Sequence, residues 1–123
     1  MAQLKVSHVM LGVQSCKRSV PFYRDLLGLT LQFENEGFAF FNGGGVTFAI
    51  SEGLAQAYPN RVGATEIVFG VDDVRATYED LRAKGVQFIN EPRPVTGPMF
   101  GANFKDPDGH GLSIFGPEGK KPE

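Results

Sequence analysis

The stretch SHVMLGV, residues 7–13, returns in altered form as TEIVFGV at residues 65–71, and this echo decides the fold. Each copy alternates its side chains as a half-buried strand does. Leu11-Gly12-Val13 falls on Phe69-Gly70-Val71 at an offset of 58 residues (69 − 11), which carries His8 onto Glu66. A second match closes each half. Phe48-Ala49-Ile50 falls on Leu112-Ser113-Ile114 at an offset of 64 (112 − 48), so Ala49 corresponds to Ser113. Self-similarity of this kind reads as one folding unit used twice.

The segments between these anchors repeat in the same order. In the first half a helix follows, with Val20, Tyr23, Leu26 and Leu27 on one face and Gly28 as its stop. Ser15 and Ser19 are both candidate N-caps. Ser19 is preferred, because it leaves Pro21 in the first turn, where a missing N–H costs little. Strand-like segments come next at LTLQFE (29–34), GFAFFN (37–42) and VTFAIS (46–51), with the three glycines at 43–45 as a tight hairpin turn. A polar linker, 52–64, ends this run. The second half offers TEIVFGV (65–71), then a helix over 72–85 capped by Asp72 or Asp73, stopped by Gly85, with Val74, Tyr78 and Leu81 inward. VQFIN (86–90) reads as a strand, and EPRPVTGP (91–98) as a proline-rich loop that cannot continue a sheet. MFGANFK (99–105) and HGLSIF (110–115) close the half around the turn DPDG.

The expected fold class is α+β: two βαβββ modules in a single domain, 1–123. Module 1 spans about 5–51, the linker 52–64, module 2 about 65–116, and a frayed tail 117–123. Composition narrows the function classes. A net charge of -2 with no basic stripe argues against nucleic acid. The single cysteine, Cys16, excludes an internal disulfide and a cysteine-based zinc cluster. No leader pattern and no membrane-length apolar run is visible, so a soluble, cytoplasmic protein with no membrane partner is expected.

Strand parity sorts the faces. His8, Met10 and Gly12 point one way, and Val9, Leu11 and Val13 the other. Glu66, Val68 and Gly70 share the first face in the second half, and Ile67, Phe69 and Val71 the second. The apolar set is the natural partner of each half's own helix. The His8/Glu66 face is then the other side of each sheet. A half of this size is marginal alone, so two halves are expected to pair, within or between chains, and curve their sheets around a shared cleft.

The βαβββ order, SVPFYRDLLGL (19–29) and FKDPDGHGLSIF (104–115) resemble the vicinal oxygen chelate superfamily, which includes glyoxalase I, extradiol dioxygenases and bleomycin resistance proteins. The resemblance covers roughly residues 5–116. It implies paired modules in a curved, U-shaped mixed sheet with the helices on its convex side. It also implies a homodimer, and a concave face that takes a divalent metal or a small organic ligand. The metal positions of that family fall here on His8, Ala49, Glu66 and Ser113.

Two of the four depart from the pattern. Ser113 stands where a carboxylate is usual, and Ala49 has no donor. A catalytic zinc uses about three protein ligands plus water, and non-haem iron two histidines and a carboxylate. Three readings of the face follow. In the first, a metal-free site binds a small molecule, to sequester or transform it; Met10, Ala49, Val68, Phe100 and Phe115 are its candidate lining, and no cofactor is needed. In the second, His8 and Glu66 hold a divalent metal for lyase, isomerase or dioxygenase chemistry. In the third, His8 and Glu66 simply hydrogen-bond across the module interface. Two metal-independent catalytic variants belong to the first. Glu66 can act as general base with His8 tuning it, or Ser113, His8 and Glu66 can form a nucleophile-base-orienter set.

The remaining candidates read blandly. His110, just past a turn glycine, is expected to be exposed or capping. Cys16 reads as an inert thiol. Arg61 and Arg93 sit in long loops where they can meet an anion or simply be solvated. Most phenylalanines are expected in the core.

Overall fold

The computed structural model describes residues 3–60 and 65–119. The chain divides into two compact units, 1–61 and 62–123, each built on one four-stranded sheet. In module 1 the strands are β1 (His8–Gly12), β2 (Leu31–Glu34), β3 (Phe38–Asn42) and β4 (Thr47–Ser51), in spatial order β1-β4-β3-β2. In module 2 they are β5 (Glu66–Gly70), β6 (Arg93–Thr96), β7 (Met99–Lys105) and β8 (Gly111–Pro117), in the order β5-β8-β7-β6. The first strand of each module runs parallel to the last, and the other pairs are antiparallel. The fold is α+β, as expected.

The two offsets hold in the ladder itself. Met10 pairs with Ala49 in module 1, and Val68 with Ser113 in module 2. Both members of each pair are related by the offsets read from the sequence. The middle strands extend the match. Phe40 pairs with Ala49, and Asn103 with Ser113, so Phe40 and Asn103 occupy equivalent places.

Each sheet packs its apolar face on its own helix. Helix α1 (Cys16–Pro21) runs into a π-helical turn (Phe22–Leu26) that puts Tyr23 against Phe48 and Phe41, with ring centroids 4.9 and 5.9 Å away. Helix α3 (Val74–Ala83) puts Tyr78 against Phe88, and Phe88 against Phe104, at 4.7 and 5.0 Å. Val13, Val20, Ile50, Leu112 and Ile114 complete the two cores. Val9, assigned to the helix side, is more exposed than Leu11 and Val13. Asp73 caps α3 by accepting from the Ala76 N–H at 2.9 Å, and Gly85 ends it in the left-handed region at φ 102°.

Five expectations are corrected. The cap of α1 is Ser15, whose hydroxyl accepts from the Arg18 N–H at 3.2 Å; Ser19 is buried inside the helix. Pro21 therefore lies within the helix rather than in its first turn, and the π-helical widening begins directly after it, with the Leu27 N–H reaching the Phe22 carbonyl. The linker holds a helix, α2 (Glu52–Ala57), capped by the Ser51 hydroxyl on the Leu54 N–H at 3.1 Å. The proline-rich 91–98 segment supplies β6, an edge strand on which Pro94 is tolerated because one side of its backbone needs no partner. VQFIN makes only an isolated bridge, Phe88 to Phe104. At the end of the chain β8 runs on to Pro117, and Glu118 is clamped to α3 by Arg75 at 2.6 Å, so residues 117 and 118 are not frayed.

Candidate functional site

The face of each sheet turned away from its helix is where the sequence places the candidate residues. In module 1 the register lays Met10, Ala49 and Phe40 in one row across β1, β4 and β3. His8 stands beside this row. Its Nδ1 lies 2.8 Å from the Ser7 hydroxyl, and its ring meets Phe40 edge-on at 5.2 Å. Phe40 is the first of three phenylalanines on this face. Phe38 lies 5.2 Å from it, and Phe33 lies 5.6 Å from Phe38 and 6.0 Å from Phe40. Ala49, in the middle of the row, is fully buried between longer side chains.

Helix α2 closes one end of this face. A Cβ built on Gly12 would lie 2.9 Å from the Ala55 backbone, so the helix sits directly on that glycine. Glu52, at the start of α2, also accepts a 2.8 Å hydrogen bond from the Cys16 N–H, which holds α2 to the first turn of α1. Cys16 itself is buried.

The equivalent row in module 2 is Val68, Ser113 and Asn103. Where module 1 has a ring on a ring, module 2 has a hydrogen-bonded network. Asn103 Nδ2 donates to Glu66 Oε1 at 2.8 Å. Asn103 Oδ1 accepts from Asn90 Nδ2 at 3.1 Å and lies 3.5 Å from an Arg93 guanidinium nitrogen. The Asn90 carbonyl oxygen, Oδ1, accepts in turn from the Asn103 backbone N–H at 3.2 Å. This reciprocal pairing fixes which end of the Asn103 amide meets the carboxylate.

Ser113 is largely buried beside this network, with Glu66 two residue pairs further along the ladder, opposite Gly111. Phe115 is flanked by Gly70 and Gly101 on the same face. Phe100 stands opposite Gly116 and alternates with Asn103, which puts it on the face of Ala102 and Ile114. His110 is 4% exposed, so of the two alternatives, exposed or capping, the exposed one is corrected. The Asp106 carboxylate accepts from the Asp108 and His110 backbone N–H groups at 2.9 and 2.8 Å, which closes the DPDG turn. Arg61 lies outside the described residues.

A full set of protein ligands for a metal is not present at these four positions: Ala49 offers no donor and Ser113 offers only a neutral hydroxyl. Among the described residues, no group of three or more His, Cys, Asp or Glu side chains is placed to hold an ion. No described helix is long and apolar enough to cross a membrane.

Sequence reasoning missed Asn103, Asn90, Phe33, Phe38 and Phe40. It looked to the first and last strands of each module, although the last strand lies inside the sheet and shares its face with the strand next to it. GFAFFN and MFGANFK, aligned by their own pairing, were the available signal.

Comparison with known proteins adds the following. A family model described as the glyoxalase/bleomycin resistance protein/dioxygenase superfamily matches residues 5–114. The chain is 30% identical to a probable lactoylglutathione lyase of Vibrio cholerae, over 94% of this chain and 92% of that protein. It is 38% identical to the metallothiol transferase FosB of Staphylococcus epidermidis, over 89% of this chain and 81% of that one. Among solved structures, a glyoxalase/bleomycin resistance protein/dioxygenase from Nocardioides superposes with a TM-score of 0.76 at 25% identity, covering 100% of this chain and 90% of its own.

Proposed function

Because the chain belongs to the glyoxalase/bleomycin resistance protein/dioxygenase superfamily, we propose that it binds a small organic molecule on the sheet faces carrying His8 and Glu66, without a resident metal. The observation that carries this reading is the row Met10–Ala49–Phe40, in which a donor position of the resemblance is a buried alanine flanked by apolar side chains. Asn103 holds one oxygen of Glu66 by a hydrogen bond, and the other oxygen is the acceptor offered to a ligand N–H or O–H. It is also the group that would take a proton if the protein turns its ligand over.

A second reading draws on the relatives. One is named a lactoylglutathione lyase and another a metallothiol transferase, which supports divalent-metal chemistry here with His8 and Glu66 as partial ligands. Exhaustive dialysis against EDTA, followed by a thermal-shift screen of small organic compounds, separates the two. Compounds that raise the Tm of the stripped chain are expected. Stabilisation that appears only once a divalent metal is restored would overturn the metal-free reading.

A further inference from the structure

Building on the reading of these faces as a ligand site, we propose that Phe33, Phe38, Phe40 and His8 form a shelf for a flat, conjugated ring bearing an anionic oxygen, such as an arene carboxylate. The decisive feature is a bulge. Leu31 pairs with Phe41 on the helix side of the sheet, and the register slips between Leu31 and Phe33 so that Phe33 pairs with Phe40. Regular pairing would have set Gln32 opposite Phe40 and turned Phe33 toward the core with Ala39. One extra residue turns a large ring outward instead, and bulges are a recurrent means of re-aiming a side chain. Phe33 stays 49% exposed, forgoing burial that stabilises most phenylalanines in a core.

The turned ring joins others rather than standing alone. Phe33, Phe38, Phe40 and His8 follow one another at centroid distances of 5.2 to 6.0 Å, each pair inclined by 36 to 60°. Such a tilted set presents ring edges and faces together, the arrangement that aromatic partners favour over aliphatic ones of equal area. Hydrogen-bond geometry points to the substituent. Glu34, the carboxylate of β2, pairs with Ala39 and so lies on the opposite face, away from a bound anion. Ser7 engages Nδ1 of the His8 ring, and Nε2, on the other side of that ring, is the atom placed to donate to an anionic oxygen. Helix α2 walls the Gly12 end, so a bound ring lies toward the His8 end.

Isothermal titration of the EDTA-treated full chain with 2-naphthoate and with decahydro-2-naphthoate, its saturated counterpart of equal charge, tests the assignment. The aromatic acid is expected to bind at least tenfold more tightly. Phe33→Ala should weaken it at least tenfold, Phe33→Tyr should stay within threefold, and Ala83→Ser, an exposed change in the last turn of α3, should have no effect. Equal affinity for the two acids would overturn the shelf while leaving small-molecule binding intact. No binding of either acid alongside hits of other chemistry in the thermal-shift screen would do the same, and no binding together with an empty screen would remove both readings. Should Phe33→Ala leave naphthoate affinity unchanged but convert a dimer to a monomer in sedimentation, a second copy of the chain covers the shelf and the proposal fails.

Discussion

Asn103 holds Glu66 by a 2.8 Å hydrogen bond from the position at which the other module places Phe40 against His8. The two modules share a ladder and differ in what they mount on it. One face is a run of rings and the other a run of amides around a carboxylate.

The Asn103 amide should therefore set the behaviour of Glu66. Asn103→Ala removes a hydrogen bond to a charged acceptor and is expected to cost about 1 kcal/mol in urea denaturation. Asn103→Asp should cost more, because it sets a second carboxylate against Glu66. Adding Glu66→Gln to Asn103→Asp should recover part of that loss. Equal stability of the Ala and Asp variants would show that the amide does not hold the carboxylate in solution.

Face assignment makes a sharper contrast among the phenylalanines. Phe41 is fully buried against Tyr23, and Phe33 is displayed by the bulge. Phe41→Ala should destabilise by about 3 to 5 kcal/mol, and Phe33→Ala by about 1 kcal/mol or less. Comparable losses in denaturant midpoint would mean that Phe33 belongs to the core after all.

Much of this was open to reading in the sequence, and the failures share a cause. The offsets of 58 and 64 placed β1, β5, β4 and β8 because each module repeats the same short run of large apolar residues around a glycine or another small residue. Phe33 escaped because a bulge breaks the alternation of a strand, and no pattern of polar and apolar residues announces where a bulge falls. The strand at Arg93–Thr96 escaped because proline forbids a central strand but not an edge, and only the assembled sheet says which strand is at the edge. Helix α2 is short and half-exposed, with its stability drawn from a cap on Ser51 and from packing on Gly12, neither of which has a periodic signature. Asn103 and Asn90 lie 13 residues apart and make sense only as a pair.

Glycine at equivalent positions should respond unequally. Gly12→Ala drives a methyl group into the Ala55 backbone at 2.9 Å, whereas a Cβ at Gly70 meets nothing within 4 Å. The first change is expected to cost about 1 to 3 kcal/mol and to loosen α2, visible as faster amide exchange over residues 52–57. Gly70→Ala should be neutral or stabilise by up to about 1 kcal/mol, since Gly70 has an ordinary backbone conformation and alanine restricts the unfolded chain. Equal effects would mean that α2 does not rest on β1.

The metal question is best put to His8, Glu66 and Ser113 together. If the faces act without metal, zinc or nickel titrated into the wild-type chain gives no saturable one-to-one binding, and His8→Ala leaves the isotherm unchanged. Glu66→Gln keeps the shape of the side chain but turns one acceptor oxygen into a donor, so a ligand that donates to that carboxylate should lose at least tenfold in affinity. Ser113→Ala separates catalysis from binding. Where the EDTA-treated chain turns a ligand over, loss of turnover with Glu66→Gln but not Ser113→Ala assigns the base to the carboxylate, whereas loss with Ser113→Ala and unchanged ligand affinity assigns a nucleophile to the hydroxyl. Stoichiometric metal uptake abolished in both His8→Ala and Glu66→Gln would instead mean that two protein ligands suffice, with water or the ligand completing the ion's shell, and the buried alanine at 49 would no longer argue for a metal-free site.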